Sequence, residues 1–332
     1  MKLSVIVPVY NVAAFLEKCI MSIAEQDIPH TEYEIVAIND GATDESPQIL
    51  RDLQSRVSNL VIVNQENQGL SGARNSGFDV ARGDYMICVD SDDYLLPNVL
   101  NTLYTRAVEN SLDILEFAAY GVDENGETTY EVAKTTGDTV LSGEKYLNSI
   151  YYMSSACNKV YRRQFIKQHS LQFMERVYIE DIEFNTRAVF LAERVMATDF
   201  VAAHFLQREG SITRTKNFEK KEKMIRDIYK VIHAINTFTE KKVTSSSEAY
   251  IPLKKRVSSL VATLLIRVLK ETRSVHLRKE ILDKLKKDGI YPVRYPAETQ
   301  QKRLFLLFAN QNWLFGTAQS YLSSRNRKKY GA

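Results

Sequence analysis

Four short runs of β-forming residues constrain this chain most: LSVIVPV at 3–9, YEIVAIN at 33–39, LVIV at 60–63 and YMICV at 85–89. The first is almost continuous in β-formers, as expected of a parallel strand covered on both faces. Between the runs, apolar residues recur at helical spacing. Phe15, Leu16, Cys19, Ile20 and Ile23 form a stripe over 13–26, with Asn11 as the expected cap. Ser46-Pro47 reads as an N-cap and a first-turn proline ahead of Ile49, Leu50, Leu53 and Val57. A helix is expected over 70–81, closed by Gly83. Another opens at Pro97 and carries Val99, Leu100, Leu103, Tyr104 and Ala107, and a fifth strand follows at 113–118. Strands separated by helices of this length imply an α/β fold with a Rossmann-like, doubly wound, mostly parallel sheet. Such sheets bind ligands in the crevice at the carboxyl ends of their strands.

From about residue 120 the rhythm changes. Glu124-Asn125-Gly126-Glu127 reads as a hairpin turn. Then come a helix near 143–151, a short segment at 157–161, a helix over 181–193 and an extended stretch at 195–207. After Asn217 the pattern is helical, with one stripe at Met224, Ile225, Ile228, Ile232 and Ile235 and another at Leu253, Val257, Leu260, Leu264 and Val268. We therefore expect a domain over 1–215 and a helical extension over 216–332. Charge divides at the same place: residues 1–216 hold 19 Lys and Arg against 31 Asp and Glu, and residues 217–332 hold 25 against 10. An acidic half followed by a basic half implies two tasks, the second of them meeting something anionic. No apolar run approaches the roughly 20 residues of a membrane span. The residues from Met1 to Pro8 do not read as a secretory leader. Cys19, Cys88 and Cys157 have neither disulfide nor metal-site spacing, which fits a reducing, cytoplasmic setting.

Polar residues collect where such a sheet puts its site. The second strand runs into Asn39-Asp40-Gly41-Ala42-Thr43-Asp44 and the fourth into Asp90-Ser91-Asp92-Asp93. Carboxylates this dense repel one another unless a cation or a hydrogen-bonding ligand compensates them. Mg²⁺ or Mn²⁺ bearing a diphosphate suits that role, because such ions take one or two carboxylates plus phosphate oxygens. The plainer alternative is a solvated acidic turn with helix-capping Asp residues. Asn67 to Gly77 (NQGLSGARNSG) adds glycine for close backbone approach and Arg74 near a helix start. No G-x-G-x-x-G follows the first strand, no G-x-x-x-x-G-K-[ST] occurs, and no G-x-S-x-G accompanies the five scattered histidines. Nicotinamide oxidoreductases, P-loop hydrolases and serine hydrolases are thereby set aside.

Taken in order, SVIVPVYN, INDGATDES, NQGLSGARNSG and DYMICVDSDD closely resemble the family 2 glycosyltransferases of GT-A fold. The resemblance covers about residues 1–215. It implies that Pro8, Tyr10 and Asp40 contact the nucleotide base, with Asn11 and Gly69 beside them, and that Arg74 is the nucleotide-contacting arginine. It implies that Asp90 and Asp92 of the D-x-D motif hold the ribose and a Mn²⁺ or Mg²⁺ ion on the sugar diphosphate, with either Asp92 or Asp93 as the main metal ligand. Ser155 to Arg162 is similar to the family's small-residue, Lys, Tyr, Arg segment and adds Lys159 to the donor site. Glu180-Asp181-Ile182-Glu183-Phe184 is similar to the segment whose Asp is the catalytic base; without the resemblance, Asp181 would read as a helix cap. His204 to Thr213 is similar to an extended strand ending in R-x-x-S-I, where Arg208 either pairs with diphosphate or balances Glu209.

The activity so implied is inverting transfer of a sugar, from a UDP-sugar or another nucleotide donor, to a hydroxyl of a glycan or lipid-linked acceptor in surface polysaccharide synthesis. Two alternatives are a sugar nucleotidyltransferase, whose basic glycine-rich signature is missing after the first strand, and a non-catalytic sugar-nucleotide-binding scaffold. A processive synthase would carry Q-x-x-R-W and a membrane span. In the basic half, Lys302 to Leu322 has Trp, Phe and Leu on one helical stripe, followed by Arg325, Arg327, Lys328 and Lys329. This suits an anionic bilayer on the cytosolic face, or equally a core helix with a solvated tail. No nucleic-acid recognition motif appears.

Overall fold

The computed structural model describes residues 1–150, 154–208, 217–272 and 274–311. β1 (Leu3–Val9) is buried throughout and pairs in parallel with β2 (Tyr33–Asp40), which pairs in parallel with β3 (Leu60–Gln65). On its other side β1 pairs in parallel with β4 (Tyr85–Cys88). Three crossover helices join these strands: α1 (Ala13–Ala24), α2 (Ser46–Gln54) and α3 (Gly69–Val80). Beyond β4 lie β5 (Tyr94–Leu95), α4 (Leu100–Glu109), β6 (Ile114–Val122) and β7 (Thr128–Val132), then α5 (Gly143–Ser149), β8 (Lys159–Arg162) and α6 (Arg163–Gln168), and finally α7 (Glu180–Leu191) and β9 (Val195–Leu206). The sheet order is β3-β2-β1-β4-β8-β6-β9-β5, with β7 hairpinned on β6. Among the described residues, β8, β5 and β7 run against the others, so six of the nine strands deliver their carboxyl ends to one edge.

Several local expectations change. Asn11 does not cap α1. It sits at φ +51° and its Oδ1 accepts the N–H groups of Thr43 (2.8 Å) and Asp44 (3.3 Å). The start of α1 is capped from the same loop instead, by Asp44 on the Ala13 N–H (3.0 Å) and Ser46 on the Val12 N–H (3.1 Å). That use of Ser46 places it inside α2, with Glu45 at the cap position. α4 starts three residues after Pro97, because Asn98 takes φ +60°, which no right-handed helix admits; just before it, Tyr94-Leu95 pairs with β9 in a strand too short for periodicity to reveal. The expected fifth strand is longer than its apolar run, and antiparallel β8 separates it from β4. The Asn-Gly hairpin is present: Asp123 Oδ1 accepts the Asn125 and Glu127 N–H groups, and Gly126 takes φ +84°. All three cysteines are buried and free. On α3, Gly77 faces Ile6 of β1, where a Cβ would stand 2.3 Å from Ile6 Cγ2.

The chain divides into two compact units, Met1–Arg176 with Glu180–Glu209, and Val177–Ile179 with Gly210–Ala332. In the second, α8 (Phe218–Lys242) packs on α9 (Tyr250–Lys270) through Ile225, Ile228, Ile232, Leu253, Val257 and Leu264, the stripes legible in the sequence. α10 (Val275–Lys287) leans on α8, and Asp288 just beyond it accepts the Tyr229 hydroxyl (2.8 Å). α11 (Gln300–Ala309) buries Leu306 against Ala262 and Ala297. It leaves Leu304 and Leu307 61% and 67% exposed. The expected stripe beyond residue 311, with its basic tail, lies outside the described residues. Among those described, no helix is long and apolar enough to cross a membrane.

Candidate active site

Two acidic strand ends were expected to share one crevice, and they meet different partners. At the end of β2, Asp40 is buried. Its Oδ1 accepts the Gln68 N–H (2.8 Å) and Gln65 Nε2 (2.7 Å), and its Oδ2 accepts the Gly69 N–H (2.9 Å). It therefore closes the first turn of α3, where unpaired amides and the helix dipole favour an anion. Gly69 takes φ +79°, open to glycine at no steric cost, and a side chain there would meet nothing within 4 Å. At the end of β1, Tyr10 is 49% exposed, while Pro8 lies buried within the strand.

The loop after β4 is built around arginines. Arg74, on α3, is only 2% exposed. Its Nη2 donates to Asp90 Oδ1 (2.7 Å) and its Nη1 to Glu180 Oε1 (2.6 Å), with Cys157 Sγ 3.6 Å from Nη2. Burial alone would drive Arg74 toward neutrality; Asp90 foremost, with Glu180, carries its pKa the other way, well above the ordinary value. Arg208 Nε donates to Asp92 Oδ2 (2.9 Å), and its guanidinium lies 4.8 Å from the Phe15 ring centroid. Asp93 turns inward and accepts the Leu206 N–H of β9 at 2.8 Å. Burial, then the charges of Asp90 and Asp92, hold its carboxyl well above the usual range. Asp92 is raised for the same two reasons, burial and Asp90, with Arg208 opposing.

α7 opens at Glu180, so Asp181 falls in its first turn. Glu180 is buried against Arg74, and Asp181 is partly exposed. Burial, and next the neighbouring charge of Glu180, push the Asp181 carboxyl up to about 7, with Arg74 opposing. A carboxyl titrating there is matched to proton transfer near neutral pH.

Direct contacts thus join Asp90 and Glu180 through Arg74, and Asp92 to Arg208, while Asp181 follows Glu180 in α7 and feels the charges of Glu180, Arg74 and Asp90. Lys159 is not among them. Its ammonium is wholly buried 3.3 Å from Glu116, which also accepts the Tyr146 hydroxyl at 3.0 Å. In this structure that ammonium is engaged by an ion pair inside the sheet and by the Ser155 carbonyl and Asn158 Oδ1, each at 2.9 Å. Arg74 is likewise engaged by protein carboxylates, those of Asp90 and Glu180. Sequence reasoning missed the roles of Glu180, Glu116 and Phe15, and also the hydrogen bond at 3.1 Å between Tyr94 and His204 Nδ1. Each pairs with a residue far away along the chain, and no local pattern marks it. The segment after Arg208, with its S-I pair, lies outside the described residues. For a metal, no group of three or more His, Cys, Asp or Glu side chains converges among the described residues. The donor set instead suits an ion taking one or two carboxylates and completing its shell with phosphate oxygens and water.

The profile of the family described as Glycosyl transferase family 2 matches residues 4–170, and the chain belongs to that family. Its fold is GT-A. EpsJ of Bacillus subtilis, an uncharacterized glycosyltransferase, is 33% identical over 217 residues, 63% of this chain and 62% of that protein. TarS of Staphylococcus aureus, a poly(ribitol-phosphate) beta-N-acetylglucosaminyltransferase, is 30% identical over 213 residues, 63% of this chain and 36% of that protein. The match therefore spans less than two thirds of the length of either relative. The crystal structure of TarS 1–349 in complex with UDP-GlcNAc superposes with a TM-score of 0.57 at 22% identity, covering 89% of this chain and 93% of that one. Mannosyltransferase PcManGT of Pyrobaculum calidifontis, in complex with GDP-Man and Mn²⁺, superposes with a TM-score of 0.55 at 15% identity, covering 98% and 88%. At those identities the likeness is one of fold.

Proposed function

We propose that this chain is an inverting glycosyltransferase. It moves a sugar from a nucleoside diphosphate donor, a UDP-sugar first among them, to a hydroxyl of a glycan or lipid-linked acceptor in surface polysaccharide synthesis. The observation that carries this reading is Asp181. It stands in the first turn of α7 with its carboxyl at about 7, joined through Glu180 and Arg74 to the D-x-D loop. TarS and PcManGT, which share the fold, are held with UDP-GlcNAc and with GDP-Man and Mn²⁺.

Asp181 accepts the proton of the acceptor hydroxyl while that oxygen attacks the anomeric carbon. The bond from that carbon to the diphosphate oxygen breaks on the opposite face, so the configuration inverts. Arg208, on the partly exposed side of Asp92, exchanges its carboxylate partner for the departing diphosphate. Asp92, with Asp90 beside it, would hold a Mn²⁺ or Mg²⁺ ion, which supplies charge neutralisation for the leaving group. Asp93, engaged by the Leu206 amide, supports that loop from within. Tyr10 is the side chain open to a base, while Pro8, Asn11, Asp40 and Gly69 shape the loops beneath it.

Release of free nucleoside diphosphate from a panel of nucleotide sugars with Mn²⁺ tests the reading. Asp181→Asn should lower release by about 10³-fold while leaving diphosphate affinity within a few-fold. Undiminished release in that variant removes Asp181 as the base. We also propose that α11 meets an anionic membrane surface from the cytosolic side, since its exposed Leu304 and Leu307 belong to the strongly basic part of the chain. Leu304→Ser/Leu307→Ser should abolish flotation with phosphatidylglycerol vesicles; equal flotation defeats the idea.

A further inference from the structure

We propose that Arg74 and Glu180 are positioning residues that set the location of the base. This rests on the reading of Asp181 above. Three observations carry it. First, the guanidinium is buried and both terminal nitrogens are engaged by protein carboxylates 16 and 106 residues away in sequence, one on each half of the site. Its Nε is also buried and has no hydrogen-bond partner, so Arg74 holds this place even with one donor unsatisfied. Second, Glu180 is the residue immediately before Asp181, at the very start of α7, so a displacement of its carboxylate is passed to Asp181 within one residue.

Third, the same two helices are fastened by neutral contacts around the ion pair. Asn75 of α3 exchanges two hydrogen bonds with the Phe173 backbone, at 3.0 and 2.8 Å. Phe173 stacks on Phe184 of α7 with ring centroids 3.9 Å apart and planes at 15°. Phe78 of α3 packs against both rings, at 5.5 and 5.9 Å, and the Phe173 ring centre lies 5.5 Å from the Arg74 guanidinium carbon. The strand-end loop carrying Asp90 and Asp92 and the helix carrying Asp181 are thereby referred to one rigid body, α3. Catalysis by a base depends steeply on placement, and a misplacement of about 1 Å costs on the order of 10²-fold.

The experiment measures hydrolysis of the best nucleotide sugar, with water in the acceptor's place, alongside calorimetric affinity for UDP, GDP and dTDP. Glu180→Ala should lower kcat by about 10²-fold, with KM and diphosphate affinity within about two-fold. Glu180→Gln, whose amide oxygen still accepts from Arg74, should recover most of the loss. Arg74→Lys keeps the charge but cannot fork to two carboxylates, so it should show the same fall in kcat with unchanged affinity. It also settles the matter should Glu180→Ala fail to fold. Wild-type kcat in Glu180→Ala overturns the proposal, as does weakened diphosphate binding at unchanged kcat in Arg74→Lys. Those outcomes differ from undiminished activity in Asp181→Asn, which would instead undo the assignment of the base.

Discussion

The ends of β2 and β4 are chemically alike and structurally opposite. Asp40 is neutralised by backbone amides at the start of α3, whereas Asp90 and Asp92 are held by Arg74 and Arg208. A carboxylate satisfied by helix amides is part of the scaffold. One held by an arginine that is itself partly open to solvent can change partners. The lesson is that acidic density at a strand end does not by itself identify the working carboxylate; the identity of its counter-charge does.

The sharpest way to break this contrast is to neutralise each end in turn. Asp92→Asn should lower transfer by about 10²- to 10³-fold through lost leaving-group stabilisation, with little effect on folding. Asp40→Ala should show the reverse. It should lose about 1–2 kcal/mol of stability in urea unfolding, as for a lost helix cap, with a much smaller change in kcat. Equal losses of activity in the two variants would erase the distinction.

The smaller effects concern pH. Because the base must be ionised, log kcat should climb with unit slope and level off near pH 7, where the Asp181 carboxyl titrates. The stability sign follows from the same shift. A carboxyl raised in the folded state contributes stability that is complete below its unfolded value near 4 and lost as pH rises through about 7. Asp181→Asn should therefore melt about 1–3 °C above the parent at pH 8, a gap that closes toward pH 4. A flat kcat profile between pH 5 and 8 would count against Asp181.

Much of the fold was readable because it is written locally. The buried run of β1, the stripe of α1, the Asn125-Gly126 turn and the apolar faces of α8 and α9 are all short-range patterns. The order of acidic and glycine-rich segments also pointed to the family. What stayed hidden depends on pairing across the chain. β8 enters the sheet antiparallel, Tyr94-Leu95 is a two-residue strand, and Lys159 is matched to Glu116 across 43 positions. The capping of α1 was missed for the same reason, since its donors meet Asp44 and Ser46 more than 30 residues on.

Gly77 gives the site an unnoticed tolerance limit. With no room for even a methyl group between α3 and the Ile6 side chain, the helix rides directly on that side chain of β1. The spacing between α3 and β1 is therefore set by a missing side chain. Any bulkier residue would lift α3 and carry the Asp40 cradle and the Arg74 fork away from their partners together, so drift at this one inconspicuous position would detune both halves of the site at once.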